Sequence, residues 1–192
     1  MKKLFRDNLH YFLIGIVLAS LLVCFGISIK CKPKQSERIY YYICASSVDT
    51  SSLVKESKDA SDEIIREVKV NHESLKQSEN SRLFGMVYSL CDIYIYPESQ
   101  LERTIPLSMH FAKDELISLI PNSTNKEMIY DEEKCCAIKV YDAVNNTSYL
   151  TDFINFSLEN SQNYYVSFYK SSLHIGQSSS SAAKIVNHLF DI

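Results

Sequence analysis

The side chains able to do chemistry are six cysteines, five histidines and scattered carboxylates, so their spacing is weighed first. Cys44, Cys91, Cys135 and Cys136 lie beyond residue 38, with no C-x-x-C and no H-x-x-x-H, so zinc-ligand spacing is missing. Cys135 and Cys136 are adjacent, and a bond between neighbours strains the peptide. Cys44 and Cys91 sit in apolar runs, where a thiol behaves as a small hydrophobe. Four buried thiols are the simplest reading; one disulfide outside the cell is the alternative. His72, His110, His174 and His188 have no partner at ligand spacing and read as surface or half-buried residues. Asp131-Glu132-Glu133 lacks the alternation of a calcium loop and reads as a solvated turn. From Ile39 onward there are two glycines, Gly85 and Gly176. Phosphate-cradling loops need several, so a P-loop, a dinucleotide fingerprint and a G-x-S-x-G elbow are excluded. A thiol enzyme would need the fold to join Cys135, His174 and a carboxylate. The chain is read as non-enzymatic, with no cofactor and no metal.

Tyrosine is the unusual component: thirteen, against nine phenylalanines and no tryptophan. Tyr94 with Tyr96, and Tyr165 with Tyr169, would line sheet faces. Tyrosine joins rigid area to a polar tip, which suits a ligand or protein contact, though filling an amphipathic sheet is its commoner use. Sequons stand at Asn122, Asn145, Asn146 and Asn155 and matter only in a glycosylating host.

The elements that position these residues begin with an apolar run. Leu9–Ile29 contains no Asp, Glu, Lys or Arg and matches the ~30 Å hydrocarbon core in length. It is read as an uncleaved signal anchor, after a tail of residues 1–8 and before a linker of residues 30–38. A cleaved signal peptide would be shorter, with a small-x-small exit. A lipid-modified Cys24 would need a small residue where Val23 stands. A buried core helix would not be flanked by basic residues on both sides. Three basic side chains precede the run and four follow it, so the charge count does not fix orientation. The short Met-Lys-Lys tail favours the N-terminus inside and the domain outside. Residues 1–38 carry seven basic and two acidic side chains, a surplus of +5; the whole chain carries −3, leaving −8 for residues 39–192. The basic part suits a bilayer through residues 9–29, and the acidic part argues against a nucleic-acid partner.

Residues 39–192 are long enough for one domain with its own core. IYYYICA (39–45) is apolar on both faces, as in a parallel strand. Asp49 to Ser52 offer cap chemistry for a helix from about Ser51 to Ile65. Val68–His72 alternates as a strand, Glu73–Ser81 reads as a loop, Arg82–Leu90 as a short helix and CDIYIYP (91–97) as a strand. That order is the rhythm of a wound α/β sheet, with α+β as the alternative. Beyond it, Ile105–Phe111 reads as a strand, Lys113–Ile120 as a helix, Cys135–Tyr141 and Asn163–Tyr169 as strands. Tyr149–Leu158 is ambiguous. Ser178–Ser181 precedes a closing amphipathic helix to about Phe190.

Taken together, IYYYICASS, CDIYIYPESQLE, CCAIKVYD and NYYVSFYKSSLHIG, behind an N-terminal anchor and before a closing helix, resemble bacterial extracytoplasmic solute-binding-like proteins. These are the binding component of ABC transporters. In that family a strand ending in D-I/L-Y-I precedes a helix facing the interlobe cleft. The resemblance implies ligand-side positions at Asp92, Tyr94, Tyr96, Glu98 and Ser99. It implies a membrane-anchored accessory that binds a solute or serves a transporter. An envelope scaffold that binds another protein and no small ligand is the alternative.

Overall fold

Seven consecutive residues rich in β-branched and aromatic side chains, RIYYYIC, form β1 (Arg38–Cys44). Ile39, Tyr41 and Ile43 turn to one face, Tyr42 and Cys44 to the other, and all five are buried. A strand buried on both faces needs a hydrogen-bonded neighbour on each edge and a packed layer on each side. The structure, a computed structural model, describes residues 11, 13–24, 32–74, 90–150, 153–156, 162–176 and 179–191. In it β1 is flanked by two parallel partners, β3 (Glu67–Glu73) along its whole length and β4 (Ile93–Pro97) on its other edge.

Beyond β4 the sheet turns antiparallel. β9 (Tyr164–Phe168), β6 (Lys134–Asp142) and β5 (Met128–Asp131) follow, giving the order β3-β1-β4-β9-β6-β5, with β7 (Thr147–Ser148) paired to β6. β2 (Ser47–Val48) and β8 (Ile154–Asn155) make a separate two-stranded pair. The domain is thus a mixed α and β fold around a mixed seven-stranded sheet. A parallel arrangement of the kind expected holds only for β3, β1 and β4.

One face of the sheet carries the main core. α1 (Thr50–Ala60), α3 (Lys113–Leu119) and α4 (Ser181–Leu189) bring Leu53, Leu116, Ile185, Val186 and Leu189 onto Ile43, Ile93, Ile95, Ile138 and Val166. Asp49 caps α1, its Oδ1 accepting from the backbone N–H groups of Ser51 and Ser52 at 3.1 and 3.2 Å. Those bonds and the two serine hydroxyls hold its carboxyl down at about 2. Tyr41 and Ser57, both fully buried, share a hydroxyl hydrogen bond of 2.8 Å that ties β1 to α1. A register shift between Lys139 and Tyr141 lets Val140 and Tyr141 both reach this core. The other face is a smaller cluster dominated by Tyr42, Tyr94, Tyr96 and Tyr165.

Several boundaries and one element differ from expectation. The helix after Asp49 ends at Ala60, where Ser61 leaves the helical conformation. Ile105–Phe111 is not a strand: Ile105–Leu107 is a 3-10 turn following α2 (Leu101–Thr104), and only Ser108 and Phe111 make single bridges. Pro106 has no N–H for a ladder and its fixed φ suits the turn. Tyr149–Leu158 yields only the two-residue β8 among its described residues. Most of the expected Glu73–Ser81 loop and Arg82–Leu90 helix lies outside the described residues. The chain divides into two compact units, Met1–Lys34 and Gln35–Ile192. Helix is described at residues 11 and 13–24 of the apolar run. No described helix is long and apolar enough to cross a membrane, and residues 9, 10, 12 and 25–29 lie outside the description.

Leu53 is fully buried between α1 and the sheet. Leu53→Ala is expected to cost about 2–5 kcal/mol, read as a lower urea midpoint with an unchanged m-value; a loss below about 0.5 kcal/mol would mean that α1 does not pack as described.

Candidate functional site

Parallel strands give the sheet two chemically different ends. The amino ends of β1, β3 and β4 lie together, and the antiparallel β9 delivers the segment 169–174 to the same end. Asp92, just ahead of β4, is the charged group buried there, 7 % exposed. Its Oδ2 accepts from the Tyr40 N–H at 2.9 Å, and its Oδ1 accepts from the Ser172 hydroxyl at 2.5 Å. Its backbone N–H donates to the Tyr40 carbonyl and its carbonyl accepts from the Tyr169 N–H. Ser172 Oγ in turn accepts from the His174 N–H at 3.0 Å. His174 is buried, its Nε2 lies 3.2 Å from the Gln35 carbonyl, and its Nδ1 has no hydrogen-bond partner. Facing a carbonyl, Nε2 must carry the proton. Burial pushes the Asp92 carboxyl up, while the donors Ser172 and Tyr40 and the nearby His174 pull it back.

A serine, a histidine and an aspartate therefore meet, but in an order unlike a nucleophilic triad. In a triad the serine donates to the imidazole and the imidazole to the carboxylate. Here the serine donates directly to the carboxylate and the histidine reaches the serine through its backbone. The arrangement fastens segment 169–174 to the start of β1 and β4.

Of the thiols, Cys91 lines the cavity beside Asp92, Ser172 and His174, whereas Cys135 and Cys136 lie apart from it. Cys135 Sγ donates to the Ala137 carbonyl at 3.4 Å and packs beside Phe111 and Leu116. Burial pushes the Cys135 thiol up to about 12, Cys136 to about 11 and Cys91 to about 12, so all three are protonated at neutral pH. Cys24, Cys44, Cys91, Cys135 and Cys136 are thiols rather than disulfide halves. No group of His, Cys, Asp and Glu among the described residues could hold a metal ion.

The five positions implied by the resemblance are spread along β4. Asp92 stands at its amino end. Tyr94 and Tyr96 are fully buried on the tyrosine face, where Tyr94 meets Tyr169 edge-on at 6.3 Å and Tyr96 lies 6.4 Å from Tyr165. Burial pushes both phenols up. Glu98 and Ser99 are exposed at the carboxyl end. Asn163 Nδ2 donates to Glu98 Oε2 at 3.1 Å, and the Ser99 N–H donates to Gln162 Oε1 at 3.1 Å. Glu98 and Ser99 thus share an end that Asp92 does not. At that end β1 has β3 on one side and β4 on the other. Ala45 and Glu73 close β1 onto β3 there, with the His72 ring 2.8 Å from the Ala45 carbonyl. Ser46 Oγ lies buried at this end without a hydrogen-bond partner.

Sequence reasoning did not join Ser172 to Asp92, because eighty positions separate them. The available signal was S-x-H straight after a strong strand.

Compared with known proteins, the chain matches no family model, no curated protein and no solved structure.

Asp92's raised carboxyl has a signed consequence. A carboxyl whose folded pKa lies above its ordinary 3.8 favours folding most below that value, and the contribution is lost as pH rises through the folded pKa. Asp92→Asn keeps the shape and removes the titration. The wild-type stability minus that of Asp92→Asn is expected to fall as pH rises from below 4, measured by urea midpoints. A difference that is flat or rising with pH would contradict the burial described here.

Proposed function

We propose that the chain is a non-enzymatic recognition domain tethered outside a cell membrane by residues 9–29, with an envelope or transporter protein as its partner. The carrying observation is where the chain enters. Gln35 and the start of β1 lie at the amino ends of the parallel strands, so the carboxyl ends with Glu98 and Ser99 lie at the end remote from the entry. A tether at one end leaves the other for a partner. The burial of Tyr94 and Tyr96 favours a protein partner over a free solute. The aromatic pair that would stack on a ligand in a solute-binding relative fills the core instead. Asp92 holds the entry end together.

Cys135 and Cys136 are too buried to report on topology, at 1 % and 4 % exposed, whereas Val144 on the turn after β6 is 89 % exposed. A Val144→Cys chain is expected to react with a membrane-impermeant maleimide in intact cells. A photo-crosslinking residue at Ser99 in those cells is expected to yield an adduct with a membrane protein. Labelling only after lysis would overturn the location. No adduct from Ser99, together with saturable binding of a small solute, would overturn the protein partner in favour of the solute-binding reading.

A further inference from the structure

The entry end of the domain carries three large aliphatic side chains in water. Ile64, on the loop between α1 and β3, is 68 % exposed; Leu90, ahead of β4, is 66 %; Leu173, beyond β9, is 46 %. Ile64 and Leu173 rim a recess of about 380 Å³ whose walls include Ser36, Asp62, Ile65 and His174. Leu173 and Leu90 line the adjoining cavity beside Asp92. The three therefore form one row around the point where the chain enters, across the β3-β1-β4 half of the sheet.

The row is not needed for folding, since its members are exposed, and single exposed aliphatics are unremarkable. Three around one entry point are a patch that calls for an occupant. We propose that the occupant is the lipid surface: Ile64, Leu90 and Leu173 dip into the headgroup–acyl boundary of the bilayer that holds residues 9–29. The proposal rests on the anchor reading. From Ile29 to Gln35 the chain makes six Cα steps, a reach of about 20 Å when extended. So short a tether keeps the start of β1 close to the bilayer.

The charge of the tether suits a bilayer surface. Lys30, Lys32 and Lys34 lie in the tether; on the loop that carries Ile64, Arg66 pairs with Glu37 and Glu63 is exposed, so that loop adds no net positive charge. Glu132, Glu133 and Lys134 are exposed at the same end but on the far edge of the sheet, around the β5–β6 turn. Asp62 sits in the recess with its charge answered: Lys184 pairs with Oδ1, and the Ser181 hydroxyl donates to Oδ2 at 2.6 Å. Those bonds hold its carboxyl below the usual range.

The chain has no tryptophan, so a single added indole reports its own surroundings. Full-length chains bearing Ile64→Trp, Leu90→Trp or Leu173→Trp would be reconstituted into phosphatidylcholine vesicles whose acyl chains are brominated near the headgroup. Leu18→Trp, inside the apolar run, tests the anchor, and Val144→Trp, at the remote end, is the negative control. The expected result is a loss of emission of about twofold or more for the three row positions and for Leu18, with none for Val144. Quenching at Leu18 without quenching at any row position overturns the lipid contact and leaves the anchor standing. Blue-shifted but unquenched emission from the row means that protein covers it, which also overturns the proposal. No quenching at Leu18 removes the anchor and the proposal with it.

Discussion

The constraint on which the rest of the structure depends is the burial of β1 on both faces and both edges. Tyr41 to Cys44 are buried whichever face they turn to, so β3, β4 and two packed layers must all form around the strand. Tyr41 and Ser57 fix the first layer and Tyr42 opens the second, its hydroxyl donating to Glu73 at the carboxyl end of β3. Because both neighbours are parallel to β1, the sheet acquires a polarity. The domain begins at the amino ends of these strands, and Glu98 and Ser99 stand beyond the carboxyl end of β4. The functional reading follows from that polarity more than from any single side chain.

Asp92 is the cost of the arrangement at the entry end. A carboxylate that is 7 % exposed would be strongly unfavourable alone, and its acceptance of the Tyr40 N–H and the Ser172 hydroxyl offsets the lost hydration. In exchange, β1, β4 and segment 169–174 are held by one group. Gly176, at φ +97°, completes the turn beyond it in a conformation that side-chain-bearing residues rarely adopt, and α4 begins at Ser181. The Ala182 N–H at the start of α4 donates to the His174 carbonyl, so the entry-end network reaches the closing helix as well.

The central strands were legible in the sequence because their burial is written in consecutive residues. IYYYICA, CDIYIYP, CCAIKVYD and NYYVSFY each became a strand of the main sheet. Strand direction was not legible. Nothing in NYYVSFY says that β9 runs against β4, since direction is set by connections whose lengths carry no pattern. β5 went unread because Met128–Asp131 follows a polar stretch and exists through pairing with β6 across a tight turn at Glu132, φ +55°. Of the site positions, Glu98 and Ser99 stand at the carboxyl end of β4, whereas Asp92 stands at its amino end. Tyr94 and Tyr96 followed the ordinary alternation of a two-sided strand and were drawn into the interior. The partners of Asp92 were hidden because hydrogen bonds across eighty positions leave no local signature.

Native-state amide hydrogen exchange tests the central position of β1 most directly. The account predicts that the amides of Tyr41, Tyr42 and Ile43 on β1 and of Ile93 to Ile95 on β4 exchange only through global unfolding, with a free energy and denaturant dependence equal to those of the whole domain. Exchange of β1 through local opening, well below the global free energy, would mean that β1 is not the strand around which the others are built, and the assignment of entry and partner ends would lose its basis.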